Sequence, residues 1–364
     1  MTEEQRALRE ALRSLLTRRS DSAAVRAAAE SPIGYDQALW ATLCAEIGVA
    51  GLALPERFGG ADASLAETCV VAEELGRTLT PAPLLGSAVL AAQAVLATED
   101  ETAGADLLPD IAEGRIAALA LTGADGRWDP RNPACAGMRT MDRWTLNGTA
   151  HYVLDGDLAD TLLVAARTED GVGLFVVDPQ DPSVTRTFTP GMDATRRLAT
   201  VEVSGTAARR IGAEATAALR QGLDAAMIAL AAEQVGAAAR CLDMTVAYAK
   251  ERVQFGRPIG GFQALKHRMA DLHVLVETAR SAAQTAAEEQ GPERAVKAAV
   301  ARVYCTEAFE QVAAETVQLH GGIAITWEHD AQLFFKRAHG SAQLFGRAAG
   351  HISALAEQVL VAAP

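Results

Sequence analysis

Apolar residues in this chain recur at three- and four-residue spacing up to about residue 113. They come in short alternating runs from Arg115 to Gly212, and at helical spacing again from Glu214 onward. A period that changes and then changes back restricts the fold more than any composition does. It predicts helices, then strands, then helices.

In the first part Leu8, Leu12 and Leu15 mark one stripe, and Leu39, Leu43 and Ile47 a second. A third helix is expected over Leu65 to Leu75, after a loop at Pro55 and Gly59-Gly60. Pro81 and Pro83 open a fourth, LLGSAVLAAQAVLA. In the middle part AALALTG, WTLNG, AHYVLDG, DTLLVAART, GVGLFVVDP and ATVEVSG are bounded by Gly, Asp and Asn, the mark of short strands. LNG is expected as a hairpin turn, and the whole as a small antiparallel β-domain. In the third part Leu223, Met227, Leu230 and Ala231 share a helix face that continues through Tyr248 to Arg252. Leu265, Met269, Leu272 and Val276 mark a second helix from Phe262. Gly291-Pro292 separates it from a third that reaches Gln318, and a fourth covers Arg347 to Val361. Short joints predict a four-helix bundle. The expectation is a mostly α chain with a central β-domain, divided at 1–113, 114–213 and 214–364.

Composition narrows the function. The chain has 364 residues, room for two or three domains, and 49% hydrophobic residues exclude a disordered chain. A net charge of −13 argues against a nucleic-acid partner. The first residues, MTEEQRALREALRSLLTRRS, are a charged amphipathic helix without the apolar core of a signal peptide. The weakly polar run Ala225 to Ala239 is broken by Glu233 and Gln234, so no membrane span is expected. Five scattered cysteines lack metal-ligand spacing and read as reduced core thiols, with no metal site. A cytoplasmic protein is expected.

Two stretches carry chemistry. In ERVQFGRPIGGFQALKHRMADL a helix breaks at Phe255-Gly256 and restarts near Phe262. Arg252 there could only complement the helix dipole. With Gln254 and a fresh helix N-terminus, it could also hold a diphosphate. In VQLHGGIAITWEHD a helix runs into Gly321-Gly322, where backbone can approach a ligand with no Cβ in the way.

Together, and in this order, these stretches resemble the acyl-CoA dehydrogenase family of flavoproteins. The pattern R-x-Q-F-G-x-x-I-x-x-F-Q reads here from Arg252 to Gln263, and Q-x-x-G-G from Gln318 to Gly322. LPERFGG at Leu54 to Gly60 and LNGTAHYVLDGDLADTLLVAART at Leu146 to Thr168 also match. The resemblance covers nearly the whole chain. It implies that Arg252, Gln254, Phe255, Gln263, Gln318, Gly321 and Gly322 contact the ADP half of an FAD bound mainly by a neighbouring subunit. It places Leu121, Thr122 and Tyr152 beside the isoalloxazine ring, and implies an acyl-CoA substrate with electron-transfer flavoprotein as electron acceptor.

The reaction it implies removes an α-proton beside a thioester carbonyl while a hydride leaves the β-carbon. Here the sequence departs from the family. The E-G-T triplet that carries the usual glutamate reads Phe345-Gly346-Arg347, and the alternative position on the first bundle helix is Ala226, followed by Met227. The flavin loop E-P-x-A-G-S-D shrinks to TGADGRWD, a threonine is replaced by Leu154, and G-G-x-G-Y reads GGIAI with Ala324. Glu233, seven residues or roughly 10 Å beyond Ala226 on the same helix face, is the candidate base. Its bland reading is an ion pair with Arg240 or a partner subunit, or a residue lining the interface. Glu328 reads as structural and Asp224 as solvated.

AAEQVGAAARCLD and KRAHGSAQLFG look like a small actinobacterial subgroup that acts on steroid side chains or other bulky acyl-CoA esters, several as heterotetramers. The reading is therefore FAD-dependent α,β-desaturation of a bulky acyl-CoA by a homo- or heterotetramer. The alternatives are a non-catalytic partner subunit, and an acyl-carrier-protein-linked dehydrogenase, flavin monooxygenase or cyclase on the same fold.

Overall fold

The computed structural model describes residues 1–362. The helices before the strands are α1 (Glu3–Arg19), α2 (Ser22–Glu30), α3 (Gln37–Thr42), α4 (Leu65–Thr78), α5 (Ala92–Leu96) and α6 (Glu101–Ala112). A π-helical stretch, Leu84–Ala91, leads into α5. The strands are β1 (Ala117–Ala120), β2 (Cys135–Thr140), β3 (Arg143–Leu154), β4 (Thr161–Thr168), β5 (Gly171–Val177), β6 (Val184–Phe188) and β7 (Leu198–Ile211). Then follow α7 (Thr216–Glu251), the two-residue strands β8 (Val253–Gln254) and β9 (Arg257–Pro258), α8 (Gln263–Glu288), α9 (Arg294–His320), α10 (Ala331–Ser341) and α11 (Ala348–Ala362). The chain forms two compact units. One takes residues 1–28, 69–81 and 227 onward; the other takes 29–68 and 82–226.

The unit of residues 29–68 and 82–226 is built on its strands. β4 pairs with β5, β5 with β7, β7 with β3, β3 with β2, and β2 returns to β4, so the pairings close on themselves. Closure removes the exposed edges of a small sheet. The alternating inward residues Leu146, Val164, Phe175, Val201 and Val203 fill the interior. Two expectations are corrected here. The sheet is mixed, because β1 and the start of β2 both pair parallel to β4. Leu146-Asn147-Gly148 is not a turn: β3 continues through it, with a register shift against β7 between Leu146 and Asn147. Gly148 has φ 144°, and a Cβ there would lie 2.7 Å from Cys135 Cα. The glycine admits the neighbouring strand's backbone rather than a reversal. The β2–β3 hairpin turns instead at Met141-Asp142, where Met141 is left-handed.

The other unit is helical. α1 opens with a capping box, in which Gln5 N donates to Thr2 Oγ1 at 3.2 Å and Thr2 N to Gln5 Oε1 at 3.0 Å. Its core joins Ala237, Cys241 and Leu242 of α7 to Leu272 and Val276 of α8, Phe309 and Val312 of α9, and Phe334 of α10. Among the described residues a short helix, α10, which the sequence reading did not separate, lies between α9 and α11. α4 and α7 cross closely: a Cβ at Gly76 would stand 2.1 Å from Glu233 O, and one at Gly236 only 1.8 Å from Glu73 O. The buried Glu73 and Glu74 beside this crossing are held by Arg9 at 2.6 Å and Arg13 at 2.6 Å. α7 is apolar and long enough to cross a bilayer, but 83% of that stretch is buried inside the protein. All five cysteines are free and buried, and burial pushes the Cys44 thiol up to about 12.

Candidate functional site

In the strand-built unit, Leu121 and Thr122 directly follow β1 and are both buried. Backbone bonds fix them: Ala134 N donates to Leu121 O at 2.9 Å, and His151 N to Thr122 O at 2.7 Å. This ties Thr122 beside the end of β3, where Tyr152 sits with a left-handed φ of 57° and its hydroxyl 3.4 Å from Ala124 O. The Thr122 Oγ1 is buried and has no hydrogen-bond partner. A buried hydroxyl is costly to leave unpaired, so this atom fits a polar ligand edge next to Tyr152. Leu154, in the place of the family's threonine, offers no second hydroxyl and packs on the Cβ side of Gly86.

Sequence reasoning passed over Asp155. Burial pushes its carboxyl up to about 7, with Arg196 and Arg197 opposing and Asp157 assisting. It sits in a left-handed turn (φ 53°) beside Arg197, whose guanidinium grips Asp157 at 2.6 Å.

In the helical unit, the break after α7 is a tight hairpin. Ile259 N donates to Arg252 O at 2.8 Å, and Phe255 and Gly256 both take positive φ. The turn lifts the Phe255 ring almost wholly out of the protein, 91% exposed, with only an edge contact to Phe262. Arg252, Gln254 and Gln263 are also exposed, and the Gln254 amide reaches only Val253 O. At the end of α9, Gln318 is exposed. Gly321 takes φ 66° and ψ −146°, and a Cβ at Gly321 or Gly322 would meet nothing within 4 Å. Between them the two motifs present a cation (Arg252), amides and open backbone outward, an arrangement suited to a phosphate-bearing partner.

Position 345 is a buried Phe345 in a left-handed conformation (φ 56°), with no carboxylate there. The loop that holds it is organised by Arg302 of α9, which is fully buried. Its guanidinium donates to the carbonyls of Leu344 at 2.6 Å, Ala342 at 3.0 Å, Gly346 at 3.1 Å and Ser341 at 3.2 Å, and bonds Thr306. Burial lowers its pKa to about 10. His351 of α11 adds a bond from Nε2 to Phe345 O at 2.9 Å. The signal for Arg302 was an arginine on the apolar stripe of α9.

Glu233 pairs with Arg337 of α10 at 2.8 Å, both nearly buried, and Arg240 is exposed. Asp224 is buried, which corrects the solvated reading, and Glu328 is exposed. Among the described residues no group of histidine, cysteine and carboxylate side chains is placed to hold a metal.

The chain as a whole is similar to proteins of known relation. Residues 2–115 match the acyl-CoA dehydrogenase N-terminal domain and residues 215–360 the acyl-CoA dehydrogenase C-terminal domain. The chain is 44% identical to the acyl-CoA dehydrogenase IpdE2 of Mycolicibacterium smegmatis, over 95% of this chain and 96% of that one. It is 46% identical to the IpdE2 of Mycobacterium tuberculosis, over 94% and 93%. Among solved structures, a Tcur3481-Tcur3483 steroid ACAD variant superposes with a TM-score of 0.89 at 33% identity, covering 99% and 98%. The ChsE4-ChsE5 complex of Mycobacterium tuberculosis gives 0.90 at 27%, covering 100% and 99%. The chain belongs to the acyl-CoA dehydrogenase family of flavin oxidoreductases.

Proposed function

We propose that this chain is a subunit of an FAD-dependent enzyme that introduces an α,β double bond into a bulky acyl-CoA thioester, in an oligomer of like or unlike subunits. The observation that carries the reading is the orphaned, buried Thr122 hydroxyl beside Tyr152, in the place the family gives to the flavin ring. When bound, FAD supplies the hydride acceptor. Thr122 donates or accepts a hydrogen bond at the ring edge, and Leu121 and Tyr152 shield it from water. Arg252, Gln254, Phe255, Gln263, Gln318 and the open turn at Gly321-Gly322 reach the ADP half of an FAD held by a neighbouring subunit. A steroid-like acyl group is supported by the likeness to a steroid-acting structure, and the electron acceptor is an electron-transfer flavoprotein.

Glu233, ion-paired with Arg337, is the proposed acceptor of the α-proton. The same ion pair, with the buried Phe345, supports a second reading: this chain completes its partner's flavin site and leaves proton abstraction to the partner. The test purifies the chain alone and with a partner subunit and follows the visible flavin band. Arg252→Ala and Thr122→Val should each weaken FAD retention at least about tenfold. Flavin binding unchanged in both variants sinks the proposal. Turnover lost in Glu233→Gln with flavin retained supports the first reading, and turnover kept supports the second.

A further inference from the structure

His320 is the last residue of α9, directly before Gly321, and is 4% exposed. Its ring stacks on Tyr248 of α7, with centroids 4.5 Å apart, and lies 4.5 Å from the ring of His329 on the other side of the turn. The Nδ1 of His320 is 2.7 Å from Thr316 O, so it carries the proton and donates; the buried Nε2 makes no well-aligned hydrogen bond among the described residues, with the Met244 carbonyl acting on the ring from nearby. The Nδ1 of His329 accepts the N–H of Ala331, the first residue of α10, at 3.1 Å, which puts its proton on Nε2. Both rings are thus neutral. Around them stand Tyr248, Asp330 and Arg26, the last two joined at 2.7 Å. Burial lowers the pKa of both histidines. At His329 the charge of His320 and Arg26 assists and Asp330 opposes, while at His320 the carbonyls of Thr316 and Met244 oppose.

We propose that the tilted His320–His329 ring contact is an acid-sensitive latch on the turn from Gly321 to Asp330. A proton added to His329 must go on Nδ1, the atom that caps Ala331. It breaks the cap and puts positive charge at the positive end of α10, close to Arg26. A proton added to His320 must go on Nε2, in buried space against a second imidazole. Burial and the neighbouring imidazole oppose charge on either ring while the two are in contact, outweighing the Met244 carbonyl and Asp330, so acidification parts them. Gly321 is the hinge, because its conformation is open only to glycine and no atom stands close to the outer face of Gly321 or Gly322. The latch follows from these side chains alone and holds whatever the turn binds.

The test follows the imidazole signals of the full chain by NMR from about pH 5 to about pH 8. Emission of Trp327, 76% exposed within the turn, is taken as the difference between wild type and Trp327→Phe. His320 and His329 should titrate below 6.5, the midpoint of each rising when the other is replaced by glutamine. The Trp327 signal should change with the same midpoint and stay flat in His320→Phe, which keeps a ring in the stack. Midpoints in the ordinary imidazole range and insensitive to each other overturn the latch. So does a Trp327 signal flat in the wild type or unchanged in His320→Phe. Should His320→Phe fail to fold, His329→Gln decides by the same two readouts.

Discussion

Replacing Arg302 by methionine tests how the loop around position 345 is held. The guanidinium is fully buried and has no carboxylate in ion-pair range among the described residues, and its pKa falls from 12.5 to about 10. That depression is a native-state cost of about 3 kcal/mol for keeping the charge. Against it stand the carbonyls of Ala342, Leu344 and Gly346, which receive the guanidinium at 3.1 Å or less. Left without donors, such carbonyls cost about 1–3 kcal/mol each. Methionine removes the first cost and incurs the second; three carbonyls at about 2 kcal/mol each, less about 3 kcal/mol, leave a net loss of about 3 kcal/mol. Lysine keeps the charge but has three donors on one atom and cannot span four carbonyls, so it falls between methionine and wild type. Equilibrium urea unfolding reads the difference, and limited proteolysis between Ser341 and Gly346 locates it. An Arg302→Met protein within about 0.5 kcal/mol of wild type, or a lysine variant weaker than the methionine one, would refute the reasoning.

Two further outcomes are expected. Gly236→Ala forces a methyl to within 1.8 Å of Glu73 O, so α4 and α7 must separate; a loss of about 3 kcal/mol or failure to fold is expected in thermal unfolding. Asp155 carries a raised pKa of about 7. The native carboxyl keeps its proton where the unfolded one has lost it, so its contribution is full below about 4 and is lost as pH rises toward 7. Asp155→Asn, neutral at every pH, should therefore gain stability over wild type between about pH 4 and about pH 7, by on the order of 1–2 kcal/mol at neutral pH. Equal pH profiles for the two proteins would contradict this.

What the sequence determined by itself was local. Side-chain spacing along a helix or strand is set by the backbone period, so Leu265, Met269, Leu272 and Val276 announced α8 without knowledge of what they pack against. The broken helix at Phe255-Gly256 and the glycine pair at Gly321-Gly322 were legible for the same reason, because turn chemistry is carried by a few adjacent residues. Partners distant in sequence were not legible. Asn147-Gly148 has the composition of a hairpin turn, yet β3 runs straight through because Cys135 of a neighbouring strand comes too close for a Cβ. Glu233 was read as a candidate base, with a pair to Arg240 of its own helix among the alternatives, and is held by Arg337, 104 residues away. Nothing in the sequence reading singled out Arg302, whose partners are the carbonyls at and after the end of α10. A buried charge or a bare glycine is selected by the group that arrives against it, and only the tertiary fold decides which group that is.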